Sequence, residues 1–234
     1  AAGLKRITME LGSNSPVIVL DDADLEKVAS TLAVTGYANS GQVCISSQRV
    51  IATAGCHDDL TDALLSKVSK LNAGDQLIEE TDIGPLVRES DAKRVENWIG
   101  EAKEQGAQLL CGGSREGSLI QPALLTNVDA DMKMSCEELF GPALGITRVA
   151  GLDEAIGLAN QTRFGLSAAV FTQDIDRAIR FAREVDSGNL HVNFGTAWRS
   201  EIMPYGGLKG SGFGKEGPKY AINEMTETKM VIIH

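Results

Sequence analysis

The chain has 234 residues, 43% hydrophobic and 23% charged, and a formal net charge of −10. It is long enough to bury a substantial core as one large domain or two small ones, and its acidity opposes phosphate-neutralising contacts, so nucleic acid is not an expected partner. No run approaches an apolar membrane span and no secretory leader opens the chain, so no membrane association is expected and the expected location is cytoplasmic.

Taken in order, β-rich runs at residues 7–11 and 17–20 precede a helical pattern over about 24–39, where Asp22 or Asp24 can cap the first turn. A strand is expected at 49–54, amphipathic helices at 58–71 and 90–105, and another strand at 107–111. Further strands are expected at 119–126, 143–149, 167–172 and 189–193, with helices at 152–160 and 175–186 between the last three. Strands separated by helices imply right-handed crossovers, hence an α/β fold with a doubly wound, mostly parallel sheet. Glycines then crowd residues 195–217, which read as a shaped loop. A short helix near 220–225 and an apolar run at 230–233 close the chain, and the latter is expected to be an edge strand in need of a neighbour.

Cys44, Cys56, Cys111 and Cys136 show neither zinc-site nor disulfide spacing and are expected to be reduced thiols. His57, His191 and His234 are scattered without a recognisable partner spacing. Gly212-Phe213-Gly214-Lys215-Glu216-Gly217 satisfies the G-x-G-x-x-G spacing, but no apolar strand precedes it and Pro218 follows, so it is not read as a dinucleotide turn. The pair with the most chemistry is Cys44, within Gly41-Gln42-Val43-Cys44, and Glu10, within Met9-Glu10-Leu11-Gly12. A thiolate is a strong nucleophile, and a carboxylate brought near it can take a proton from an attacking water; together they suggest covalent catalysis followed by hydrolysis.

Four ordered motifs carry a resemblance. They are Glu10-Leu11-Gly12 with Ser15-Pro16, Gly41-Gln42 before Cys44 with Arg49 after it, Glu137-Glu138-Leu139-Phe140-Gly141-Pro142, and Asn193 followed by Pro204-Tyr205-Gly206-Gly207-Leu208-Lys209-Gly210-Ser211-Gly212. The chain resembles the carboxy-terminal half of an NAD(P)-dependent aldehyde dehydrogenase. The resemblance implies that Cys44 attacks the aldehyde, that a hydride leaves for the nicotinamide, and that Glu10 activates the hydrolytic water. It implies cofactor contacts at Glu138, Phe140, Leu11 and Gly12, with Glu138 meeting the nicotinamide ribose. It also implies that the Gly-rich loop, with Asn193 and Arg199, lines the aldehyde entrance. One oxyanion donor is expected from backbone N–H groups at a helix start around Cys44; the second, in that family, is an asparagine of the amino-terminal domain.

The implied layout is a cofactor-domain remnant at 1–12, a three-layer αβα catalytic domain at 13–210, a loop and short helix returning toward the cofactor domain at 211–227, and an oligomerisation strand at 228–234. The longer enzyme is expected to be a homo-oligomer, dimer or tetramer, using NAD or NADP. The loop over 194–207 looks most like members acting on small anionic aldehydes, which makes Arg199 an anion reader. Ser13 and Asn14 depart from the family's usual Gly and Lys. Two alternatives stand beside this expectation. A coenzyme-A-acylating dehydrogenase is disfavoured by the presence of Glu10, and a non-catalytic fragment or assembly module would bind the cofactor weakly or not at all.

Overall fold

Aliphatic and β-branched runs in this sequence are bracketed by polar caps, and the computed structural model, which describes residues 3–234, turns them into a three-layer arrangement. The strands are β1 (Met9–Glu10), β2 (Ser15–Val19), β3 (Ser47–Thr53), β4 (Gln108–Cys111), β5 (Arg115–Glu116), β6 (Leu119–Ile120), β7 (Ala123–Thr126), β8 (Ala143–Val149), β9 (Ser167–Phe171), β10 (Asn189–Val192) and β11 (Gly212–Phe213). The helices are α1 (Leu25–Thr35), α2 (His57–Val68), α3 (Glu89–Glu104), α4 (Lys133–Cys136), α5 (Leu152–Asn160), α6 (Ile175–Glu184) and α7 (Pro218–Met225). Seven strands form the main sheet in the order β10-β9-β2-β3-β8-β7-β4, parallel throughout except for β4 against β7.

Central β2 is buried along its whole length, with Val17, Ile18 and Val19 fully inaccessible. Its side chains alternate between two cores, each such residue contributing about 1.5–3 kcal/mol by leaving water. Val17 and Val19 join Val28, Leu32, Leu60 and Leu64 of α1 and α2, whereas Ile18 and Leu20 join Ala155, Ala159 and Phe181 of α5 and α6. A third cluster fixes α3 over the far end of the sheet through Ala92, Val95 and Ile99 against Ala123, Leu125 and Leu139.

Asp24 rather than Asp22 caps α1, accepting from the Lys27 amide. Asp22 instead accepts from the Thr172 hydroxyl and the Gln173 amide, closing the turn between β9 and α6. The first helix stops at Thr35, short of the expected 39, and the left-handed backbone of Asn39 and Ser40, at φ 51 and 58, cannot continue it. The single strand expected over 119–126 is split into β6 and β7 on either side of Gln121-Pro122, since proline has no N–H to give a ladder. The run at 7–11 shrinks to β1, which pairs antiparallel with β11 only. No strand forms over 230–233: Met230, Val231, Ile232 and Ile233 are 70–92% exposed, and their backbone has no ladder partner among the described residues. Residues 1 and 2 of the expected cofactor-domain remnant lie outside the described residues.

One close approach matters for the site. Gly41 sits at φ +71, and a Cβ there would lie 2.1 Å from the carbonyl oxygen of Gly141, so the loop before Cys44 and the Glu137-to-Pro142 segment touch backbone to backbone. Gly41→Ala is therefore expected to cost about 3 kcal/mol, the strain of a left-handed side chain plus a displaced loop. Chemical denaturation reads this as a lowered midpoint at unchanged slope; an unmoved midpoint would show that the two loops are not locked together.

Candidate active site

Cys44 lies in a turn, not at a helix start as expected. The Ser46 amide donates to the Val43 carbonyl at 2.9 Å, which leaves the Cys44 and Ile45 amides without a backbone acceptor. Several hydroxyls fix this turn from outside. The Ser46 hydroxyl donates to the carbonyls of Thr35, the last residue of α1, and of Gly36 just after it, and the Thr196 hydroxyl donates to the Ile45 carbonyl at 2.7 Å. Ser47 is hydrogen-bonded to both Thr35 and Thr196, each at 2.8 Å. Carbonyls at a helix end need such partners, and here the same bonds position the thiol.

Around Cys44, Val43, Ile45, Leu166, Ala197, Met203 and Tyr205 form a small apolar cluster. The Tyr205 hydroxyl stands 3.4 Å from Cys44 Sγ. Burial first, and then the bond to Cys44, push the Tyr205 phenol well up from its ordinary range. The Arg199 guanidinium lies 4.4 Å over the Tyr205 ring and pairs with Glu216 at 2.9 Å. Glu216 in turn donates its amide to the Tyr205 carbonyl at 2.6 Å, so one short bridge holds ring, cation and carboxylate together.

Glu10 reaches the same place from β1. Its Oε1 is buried without a hydrogen-bond partner and would stand 3.3 Å from a Cβ on Gly206, the residue after Tyr205. Burial first, and then the Glu216 charge, push its carboxyl up; Lys215 and Arg199 oppose, as does the Gly207 amide, which is near but outside hydrogen-bond geometry. A buried carboxylate oxygen with nothing bonded to it is costly, and such groups concentrate at functional sites.

The third expected group assembles beside the first two. Glu138 accepts from the Ser13 amide at 3.0 Å through Oε1, while Oε2 would be only 2.5 Å from a Cβ on Gly12, so the absence of that atom makes room for the carboxylate. Burial pushes the Glu138 carboxyl up, the Ser13 amide holding it back. Gln48, with its amide oriented to suit its neighbours, donates to the Ser13 carbonyl and accepts from the Leu139 and Phe140 amides. The Asn14 amide donates to the Glu137 carbonyl at 2.7 Å, and Arg94 donates to the Leu139 carbonyl at 2.6 Å. Phe140 takes φ +50 and leaves its ring 37% exposed at the rim. Leu11 is half-exposed, its amide donating to the Ser211 carbonyl.

Asn193 is not brought into this cluster. Its side-chain amide accepts from the Thr172 amide at 3.0 Å and donates to the Thr172 carbonyl at 2.9 Å, so it closes the turn after β9 with one of its two N–H donors left over. Arg199 is in the cluster, already paired. Tyr205, Gln48 and Thr196 were not singled out from sequence; each has a partner more than ninety residues away, where spacing carries no signal. The four cysteines are free thiols, no group of metal-binding residues occurs among the described residues, and no helix there is long and apolar enough to cross a membrane.

Cys44, Glu138 and Ser13 all precede the strands that follow them, so the cluster sits at the amino ends of β2, β3 and β8. Comparison with known proteins agrees with the motifs gathered there. The aldehyde dehydrogenase family model matches residues 1–231. A 3-sulfolactaldehyde dehydrogenase of Priestia aryabhattai is 46% identical over 233 residues, covering 100% of this chain and 49% of that protein. A lactaldehyde dehydrogenase of Methanococcus vannielii is 44% identical over 231 residues, 99% of this chain and 50% of that protein. The crystal structure of the glyceraldehyde-3-phosphate dehydrogenase GapN from Methanocaldococcus jannaschii, complexed with NADP, superposes with a TM-score of 0.96 at 39% identity, over 99% of this chain and 50% of that one. The chain thus spans about half the length of the curated relatives it matches. By family model, identity and fold together, the chain belongs to the aldehyde dehydrogenase family.

Proposed function

We propose that these residues form the catalytic half of an enzyme that oxidises a small anionic aldehyde to its acid with NAD or NADP. The observation that carries this is the convergence of Cys44 and Glu10 on Tyr205, in a family whose members are dehydrogenases. The Cys44 thiolate adds to the carbonyl carbon, and the Cys44 and Ile45 amides, which have no backbone acceptor, are left to donate to the resulting oxyanion. The residues present fit a nicotinamide cofactor: Oε2 of Glu138 accepts no hydrogen bond among the described residues, and a carboxylate can accept from ribose hydroxyls beside the exposed Phe140 ring. When bound, that cofactor would supply the hydride acceptor, and loss of hydride from the carbon held on Cys44 would leave a thioester there. Glu10 then takes a proton from water as the water attacks the thioester carbon, and the acid departs as Cys44 regains its thiolate.

Burial of Glu10 suits this role, because a base works best with an affinity for protons near the working pH. Glu10 also favours water over coenzyme A as the acceptor. We further propose that residues 1–12 and 211–227, joined through β1 and β11, belong with a cofactor domain, and that residues 228–234 serve oligomerisation in a dimer or tetramer. On that division the 234 residues alone bind the dinucleotide only at its nicotinamide end, and weakly.

Substrate charge is the part most open to direct test. The named relatives include sulfolactaldehyde and glyceraldehyde-3-phosphate dehydrogenases, and Arg199 presents a planar cation within the cluster. In the protein that carries this chain, Arg199→Ala is expected to raise KM for anionic aldehydes about tenfold while leaving neutral aldehydes within about threefold. Equal effects on both classes, in steady-state assays, would remove the anion assignment.

A further inference from the structure

Resting on the identification of Cys44 as nucleophile, we propose that Tyr205 is a positioning residue whose phenol donates its hydrogen bond to the Cys44 sulfur and holds it as a thiolate aimed into the cluster. At 3.4 Å either atom can donate, and the surroundings favour the phenol as donor. A thiol is the weaker donor and a thiolate can only accept. Tyr205 is 3% exposed, so its hydroxyl is shut off from water, and its backbone is held by Glu216 at the carbonyl and Met203 at the amide. The Arg199 cation over the ring face and the Glu216 bridge lock the ring plane from the other side. Burial also keeps the phenol protonated, so it retains the hydrogen to give.

The charged groups around the pair are Glu10 from β1, Arg199 and Glu201 from the loop before Tyr205, and Lys215 and Glu216 from the segment after it. Two cations and three carboxylates leave no clear excess of positive charge at the sulfur, so a neutral donor in direct contact has work to do there. The proton lost from Cys44 passes to solvent. Tyr205 thereby gives the nucleophile one fixed rotamer and a charge-assisted bond that a phenylalanine at the same place would not supply.

The test uses iodoacetamide on this 234-residue chain, with peptide mass spectrometry to separate Cys44 from Cys56, Cys111 and Cys136. Tyr205→Phe keeps the ring, the apolar packing and the Arg199 stack and removes only the hydroxyl. The pH of half-maximal Cys44 alkylation is expected to rise by about one unit, slowing the reaction about tenfold below that pH, with the thermal midpoint within a few degrees of the parent. Coincident alkylation profiles for parent and variant would overturn the assignment, as would an upward shift shared equally by Cys56 and Cys111. Ester hydrolysis by the protein that carries this chain separates this result from the functional one: a shifted profile in a protein that hydrolyses no activated ester would leave the tyrosine contact standing and remove the dehydrogenase role of Cys44.

Discussion

Cys44→Ser in the protein that carries this chain is expected to lower aldehyde oxidation and hydrolysis of an activated ester together, each by about 10⁴-fold or more. A serine hydroxyl stays protonated near neutral pH and is a far weaker nucleophile than a thiolate. Ester hydrolysis needs no hydride acceptor, so it isolates the sulfur from every question about the dinucleotide. The variant should fold normally, because the turn is held by the Ser46, Ser47 and Thr196 hydroxyls and not by the thiol. Retained ester hydrolysis with an intact fold would assign the nucleophile elsewhere. Cys56 could not replace it. That thiol is buried beneath α2, contacts the Val19 and Thr53 carbonyls, and is pushed up by burial.

The second large effect is expected at Glu10. Glu10→Gln preserves shape but accepts no proton, so the steady-state rate should fall by about 10²–10⁴-fold while the first turnover survives. Rapid mixing would then show a burst of one reduced cofactor per Cys44, followed by a slow phase limited by thioester hydrolysis. Loss of the burst together with the steady state would place Glu10 before hydride transfer instead of after it. The pH dependence follows from the direction of the shift. Burial and Glu216 raise the proton affinity of Glu10, and if its unprotonated form does the work as proposed, parental activity is expected above the raised value and is expected to be lost as pH falls through it. The residual rate of the glutamine variant should be flat across that same limb.

Much of the scaffold could be read from residue patterns, and the failures have specific causes. The bounds of α5 and β8 coincide with expectation because periodicity and flanking polar residues agree there. Pattern reading broke where one residue overrode a run, as Pro122 did between β6 and β7, or where polar residues adopted left-handed backbone, as Asn39 and Ser40 did after α1. The terminal apolar run reads as a strand from composition alone, yet a strand needs a ladder partner and the described residues offer it none. Cys44 and Glu10 could be named from their motifs, and the fold brings both to Tyr205. Asn193 belonged to a motif as well, and spacing gave no sign that its amide would also bond both backbone groups of Thr172. Tyr205 itself was only a letter in a glycine-rich loop; its contact with a residue 161 positions away is a product of tertiary structure. Doubly wound sheets commonly bind ligands at the carboxyl ends of their strands, and here the cluster lies at the amino ends, so topology alone would have directed attention to the wrong edge.

The most direct test is to trap the covalent intermediate. With Glu10→Gln in the protein that carries this chain, one equivalent of an anionic aldehyde and excess NAD or NADP should leave the acyl group on a single peptide containing Cys44, with added mass equal to the acid less water. Acylation of a peptide carrying Cys56, Cys111 or Cys136, or continued turnover with no covalent mass at any cysteine, would contradict it.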